Sequence, residues 1–264
     1  MTQATLIHPD SLHDFHKARL TFLEETKEVY VMGEGPAVIV MAEMPGIYKL
    51  VADFARRLCA EGFTVWMPHM FGDDGRAPTT GYILKSMARV CISREFRAFS
   101  ANKSSPIVNW LRALARHAHK ESGGKGVGAI GMCFTGNFAF NLMLEPSVLA
   151  PVMAQPSLPL GRRGGLHIAP EELRCIKDRL EDENLTVLGY CFEGDPFCRK
   201  ERFDDYQSAL GDRFEGTVLP ADSAKPDTGQ PPHSVVTRHL IDEVGEPTRQ
   251  ALDEIIAFYK RRLT

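Results

Sequence analysis

A single bend in this chain restricts its fold more than any other stretch. Residues 127–130 are apolar and strand-like, Gly131-Met132-Cys133-Phe134-Thr135-Gly136 follows, and a helical stretch over 137–144 comes directly after. This order predicts a nucleophile elbow of the Gly-x-nucleophile-x-Gly kind, with Cys where most such bends carry Ser. Glycine is expected on both sides because so tight a reversal drives a Cβ into neighbouring backbone. The bend pushes its central side chain out at the carboxyl edge of a sheet. A helix starting at the thiol would also aim free N–H groups and the positive end of its dipole at the sulfur, favouring a thiolate and any later oxyanion.

The rest of the chain reads as strands alternating with helices. Residues 28–32 and 36–42 look like two strands of a hairpin through Gly33-Glu34-Gly35, and 48–61 has helical apolar spacing ending at Gly62. Residues 63–68 form a buried strand, and 69–81, rich in Gly, Pro and Asp, a loop. Two helical stretches between 86 and 119 break near 102–106. After the elbow come a strand at 150–154, an irregular segment at 156–170, a helix, a strand at 186–194, a helix at 200–210, a strand at 214–219, a long loop at 220–233 and a closing helix at 246–262. Such alternation predicts a mostly parallel sheet with helices on both faces, with ligands beyond the strands' carboxyl ends.

Composition narrows the function. With 264 residues, 44% of them hydrophobic, the chain is expected to bury one large core as a single domain over 1–264. A formal charge of −3, with Lys and Arg scattered, gives no reason to expect nucleic acid as a partner. No apolar run approaches the roughly 20 residues of a membrane span, and residues 1–18 lack the basic-then-apolar order of an export signal. Six cysteines without a CxxC pair point to reduced thiols in a cytoplasm and away from zinc or thioredoxin-like chemistry. His117 and His119, two residues apart, do not share a helix face. No metal or cofactor is therefore expected.

A cysteine at an elbow needs a base and a group to orient that base, which in this architecture follow in the order nucleophile, acid, His. Asp195, directly after the strand at 186–194 and before Pro196, fits the acid. His233, at the end of the Pro-rich loop, fits the base, and His239 on the same segment competes with it. The oxyanion donors expected are the backbone N–H of Phe134 and one from the loop Glu43-Met44-Pro45-Gly46. Pro45 has no N–H, which leaves Met44. Glu43 ends an apolar strand, an expensive place for a carboxylate without a task. Cys191 and Cys198 read as packing.

Taken in order, VIVMAEMPG with Glu43, FTVWMPHMFG, GMCFTG, FEGDPF with Asp195 and PPHS with His233 resemble the dienelactone hydrolase family of α/β-hydrolases. The resemblance covers most of the chain. It implies an α/β-hydrolase fold, a Cys133–His233–Asp195 triad, no metal, and hydrolysis of a small-molecule ester or lactone through an acyl-thioester. It also implies that Glu43 holds the resting thiol and moves away when an anionic substrate arrives. Family enzymes for dienelactone grip the substrate carboxylate with arginines, one shortly after the catalytic His. Here Ser234 matches that pattern, Arg238 lies one residue later, and Arg94 and Arg97 are candidates for the other arginine. A thioesterase would use the same triad, and a noncatalytic ligand-binding or oxidant-sensing protein is the rival from another class.

Overall fold

Eight strands form one sheet in the computed structural model, which describes residues 7–264; the first six residues of the segment read for an export signal lie outside the described residues. The strands are β1 (His16–Phe22), β2 (Glu25–Met32), β3 (Ala37–Met41), β4 (Thr64–Pro68), β5 (Val127–Met132), β6 (Val148–Ala154), β7 (Val187–Phe192) and β8 (Phe214–Leu219). Their order across the sheet is β1-β2-β4-β3-β5-β6-β7-β8. From β4 to β8 all neighbours are parallel, while β1 and β2 pair antiparallel at one edge.

The expected hairpin between the second and third strands does not form. β4 inserts between β2 and β3, and Gly33 and Gly35 serve instead as positive-φ positions whose backbone passes Gly62 and Phe63 so closely that a Cβ would overlap carbonyl oxygens. The actual hairpin joins β1 to β2 through Leu23 and Glu24, both left-handed. Left-handed φ at both central residues is the geometry of a two-residue hairpin turn, normally given to Asn and Gly.

Among the described residues seven helices cover the sheet: α1 (Lys49–Ala60), α2 (Thr80–Ile92), α3 (Ile107–Ser122), α4 (Gly136–Asn141), α5 (Pro170–Asp182), α6 (Lys200–Leu210) and α7 (Pro247–Leu263). The central strands are buried on both faces, and their alternate residues feed two cores. Val38 and Val40 pack under α1 and α7, with Val51, Leu252 and Ile255. Ile39 and Met41 face the other way, toward Leu111 of α3, Phe138 of α4 and Ile176 of α5. The break between α2 and α3 runs from residue 93 to 106, longer than the sequence suggests. Among the described residues no helix is long and apolar enough to cross a membrane.

Candidate active site

Cys133 follows β5 directly and adopts φ +54°, a left-handed conformation that a non-glycine residue holds only when its surroundings impose it. Gly131 permits the bend, since a Cβ there would lie 2.1 Å from the Thr135 carbonyl oxygen. The second glycine of the motif is displaced. Gly136 stands three residues after the cysteine, where a Cβ would lie 2.6 Å from Pro156 Cα, and Thr135 occupies the position two residues after it. The buried Thr135 hydroxyl accepts the Met132 N–H at 2.9 Å and donates to the Met41 carbonyl at 2.8 Å, tying the elbow to the end of β3. The helix expected to start at the thiol opens with a 3-10 turn over Cys133–Thr135, and α4 has only six residues, so its dipole is a minor influence on the sulfur.

The β7 strand delivers Asp195. One carboxylate oxygen, Oδ1, accepts the N–H groups of Phe197 at 2.8 Å and Cys198 at 3.1 Å, a local turn that fixes the carboxylate, and Oδ2 accepts from His233 Nδ1 at 2.7 Å. The Nε2 atom of His233 is buried with no hydrogen-bond partner. It borders the same cavity as Cys133. Burial works against the imidazolium, but the nearby Cys133 sulfur and the Asp195 carboxylate outweigh it, and the pKa of His233 lies well above its ordinary value. Cys133 and His233 thus border one cavity, with Nε2 making no hydrogen bond to the sulfur. Phe197, half-exposed, meets the His233 ring edge-on at 5.2 Å between centroids.

Glu43, 2% exposed, lies at the end of β3 beside the same cavity. Its carboxylate accepts from Tyr48 at 2.6 Å, Ser234 at 2.7 Å and Gln155 at 3.2 Å, and from the Thr237 hydroxyl. Four bonds to a charged acceptor, at about 1.5–3 kcal/mol each, offset a desolvation cost of several kcal/mol. The thiol has a different partner. Ser157 Oγ donates to Cys133 Sγ at 3.4 Å, and Ser157 N–H donates to the Cys133 carbonyl at 3.0 Å. The resting contact between Glu43 and the thiol that the resemblance implies is therefore absent among the described residues. Met44 and Phe134 both border the cavity, and the Met44–Pro45 peptide is cis. Phe134 is held by edge contacts to Phe71, Phe96 and Phe138.

The sequence profile of the Dienelactone hydrolase family matches residues 21–213, a span that includes Cys133 and Asp195 and stops short of His233. The chain belongs to the dienelactone hydrolase family. It is accordingly a hydrolase of ester bonds. Solved structures agree on the fold. A protein from Klebsiella pneumoniae provisionally named a dienelactone hydrolase is 18% identical, with 94% of this chain and 98% of that one covered and a TM-score of 0.66. A promiscuous dienelactone hydrolase-like phosphotriesterase from metagenomic libraries is 18% identical, covering 93% and 97%, with a TM-score of 0.59. An esterase from Pyrococcus furiosus is 12% identical, covering 95% and 93%, with a TM-score of 0.56. No curated protein matches the sequence.

Against the family's pattern of arginines, the structure separates the candidates. Arg238 is half-buried and borders the cavity. It sits in a run of turns rather than a helix, so the one-residue offset from the family spacing does not carry it away. Ser234 borders the cavity too, with its hydroxyl committed to Glu43. Arg94 and Arg97 are exposed and lie outside the cavity lining. The chain leaves α2 at Ile92, and Phe96 rather than either arginine turns inward, onto Phe71 and Phe134. Ser157, Thr135 and Gln155 escape a sequence reading, because each acts through contacts far along the chain; Ser157 and Gln155 lie outside any recognisable motif, and the role of Thr135 inside the elbow motif depends on its bond to Met41. Away from the cavity, Glu28, His69 and Asp74 approach within metal-ligand spacing, but Lys17 Nζ already pairs with Glu28 at 2.6 Å and Asp74 at 3.1 Å.

Proposed function

We propose that this family member hydrolyses small esters or lactones through an acyl-thioester on Cys133. The observation that carries the reading is the state of His233: Nδ1 is fixed by Asp195, and Nε2 is left without a partner beside the cavity that Cys133 shares. That is a base with one end oriented and the other free to take a proton. His233 removes the thiol proton, and Sγ attacks the carbonyl carbon. The N–H groups of Phe134 and Met44 hold the oxyanion; the Met44 N–H has no other hydrogen-bond acceptor among the described residues. The carbon–oxygen bond then breaks, and the leaving alkoxide takes the proton from His233. A water deprotonated by His233 attacks the thioester, releasing the acid and restoring the thiol.

The cavity, about 230 Å³, supports a small substrate, and its wall is largely apolar, with Ile83, Met87, Leu160 and Phe197 lining it together with Cys133 and Phe134. Arg238 is the cationic side chain available to an anionic one. Glu43, through Ser234 and Thr237, braces the segment that carries His233. All six cysteines are free thiols, which supports a reducing, cytoplasmic setting. The deciding experiment pairs Cys133→Ala with an activated aryl ester. Turnover is expected to vanish with the thermal transition largely unchanged, and mass spectrometry of the wild-type protein during turnover is expected to find the acyl group on Cys133. Retained turnover in the variant defeats the reading.

A further inference from the structure

Two histidines, six residues apart, share the loop between β8 and α7, and only His233 contacts Asp195. His239 is 1% exposed. Its Nδ1 accepts the backbone N–H of Ser234 at 3.0 Å and that of His233 itself at 3.3 Å. A ring nitrogen that takes two N–H groups carries no proton, so the proton resides on Nε2. Nε2–H donates to Thr228 Oγ1 at 2.9 Å, and the Thr228 hydroxyl donates onward to the Gln230 carbonyl at 3.2 Å. The main chain of His239 closes the same turn: its N–H donates to the Ser234 carbonyl at 3.0 Å, and its carbonyl accepts from the Lys225 N–H at 2.9 Å. Phe192, the last residue of β7 and three before Asp195, packs edge-on against the ring at 6.1 Å. One imidazole therefore reaches the backbone of His233, the cavity wall at Gln230 and the strand that delivers Asp195.

We infer that His239 is a positioning residue for the base: its unprotonated Nδ1 fixes the backbone at His233 and Ser234 and so holds the His233 imidazole in register with Asp195. This rests on His233 acting as the base. Burial lowers the pKa of His239 and keeps it in the neutral form that accepting two N–H groups requires. Packing alone does not explain the arrangement, because an apolar ring would leave two buried N–H groups without an acceptor.

The test has two arms. Nitrogen-15 spectra of the wild-type protein near neutral pH are expected to show His239 as the Nε2–H tautomer; an Nδ1–H tautomer or an imidazolium overturns the inference without reference to catalysis. In the second arm, His239→Phe keeps a ring against Phe192 but offers no acceptor, and His239→Asn keeps a short polar acceptor. On an aryl ester that the wild type turns over, His239→Phe is expected to lower kcat by about tenfold to a hundredfold with little change in KM, and His239→Asn to recover most of the loss. Equal kcat in His239→Phe and the wild type, or a His239→Phe variant more active than His239→Asn, overturns the inference. Failure of the wild type to turn over any ester strikes the proposed function instead, and the tautomer then decides the inference alone. The tautomer likewise decides it if His239→Phe does not fold.

Discussion

His233 Nδ1 and Asp195 Oδ2 lie 2.7 Å apart, although 38 positions separate the two residues in the chain. The opposite oxygen of that carboxylate is held by the N–H groups of Phe197 and Cys198, so the acid cannot rotate without breaking its own turn. In Asp195→Asn the amide oxygen keeps the backbone bonds, and the NH₂ faces Nδ1. The imidazole then flips its proton to Nε2 and loses its capacity to accept one from the thiol. We expect kcat to fall by about 10³–10⁴-fold with the fold intact, the magnitude found when a triad acid is replaced by its amide. A loss below tenfold would remove Asp195 from the mechanism.

Glu43 tests the other end of the site. Its four donors face a carboxylate that only accepts; an amide presents an NH₂ to two of them. Glu43→Gln is expected to cost about 2 kcal/mol of stability by urea denaturation, because buried donors are left facing donors. An unchanged midpoint would show that the four donors do not depend on the carboxylate for stability.

Thr135 stands where the elbow motif has glycine, and its hydroxyl joins the elbow to β3. Thr135→Val preserves shape and leaves the Met132 N–H and Met41 carbonyl unsatisfied, at a cost of about 1–3 kcal/mol. Thr135→Ser keeps the hydroxyl and is expected to lose less than half of that. Thermal denaturation of the two variants side by side measures the difference, and equal losses would assign the effect to the methyl group.

Acid sensitivity follows from His167, buried between the Ser100 carbonyl and Ser105 Oγ, each at 2.8 Å. Burial lowers its pKa from 6.5 to about 4. Between those values the unfolded chain binds more protons than the folded one, so this residue's contribution is complete above about pH 6.5 and is lost as the pH falls to about 4. The difference corresponds to roughly 3 kcal/mol. Urea midpoints at pH 7 and pH 4.5 are expected to differ more for the wild type than for His167→Gln; parallel losses would contradict this.

The parallel strands and the motifs at their ends were legible in the sequence because both depend on local signals. β5 and β7 are unbroken apolar runs, and Cys133, Asp195 and His233 occupy recognisable contexts in the expected order. β1 was not legible. Its residues are exposed or half-exposed, with His16, Lys17 and Arg19 among them, and its turn uses Leu23 and Glu24 where glycine or asparagine would announce it. The swap that places β4 between β2 and β3 depends on pairing across the sheet, which hydrophobic pattern does not encode. The site divides in the same way. The groups proposed to react lie in motifs, while Ser157, Thr135, Gln155 and His239 make contacts that exist only once the strands are assembled. For Arg94 and Arg97 residue type gives no direction, and the loop turns Phe96 inward in their place.

Phe197 shields the His233 imidazole with its ring yet steadies Asp195 only through its main-chain N–H. Any amino acid except proline supplies that N–H. The mouth of the cavity can therefore be widened, narrowed or made polar at position 197 while the carboxylate stays anchored, which makes this residue a natural point for selection to change what the enzyme admits without rebuilding how it reacts.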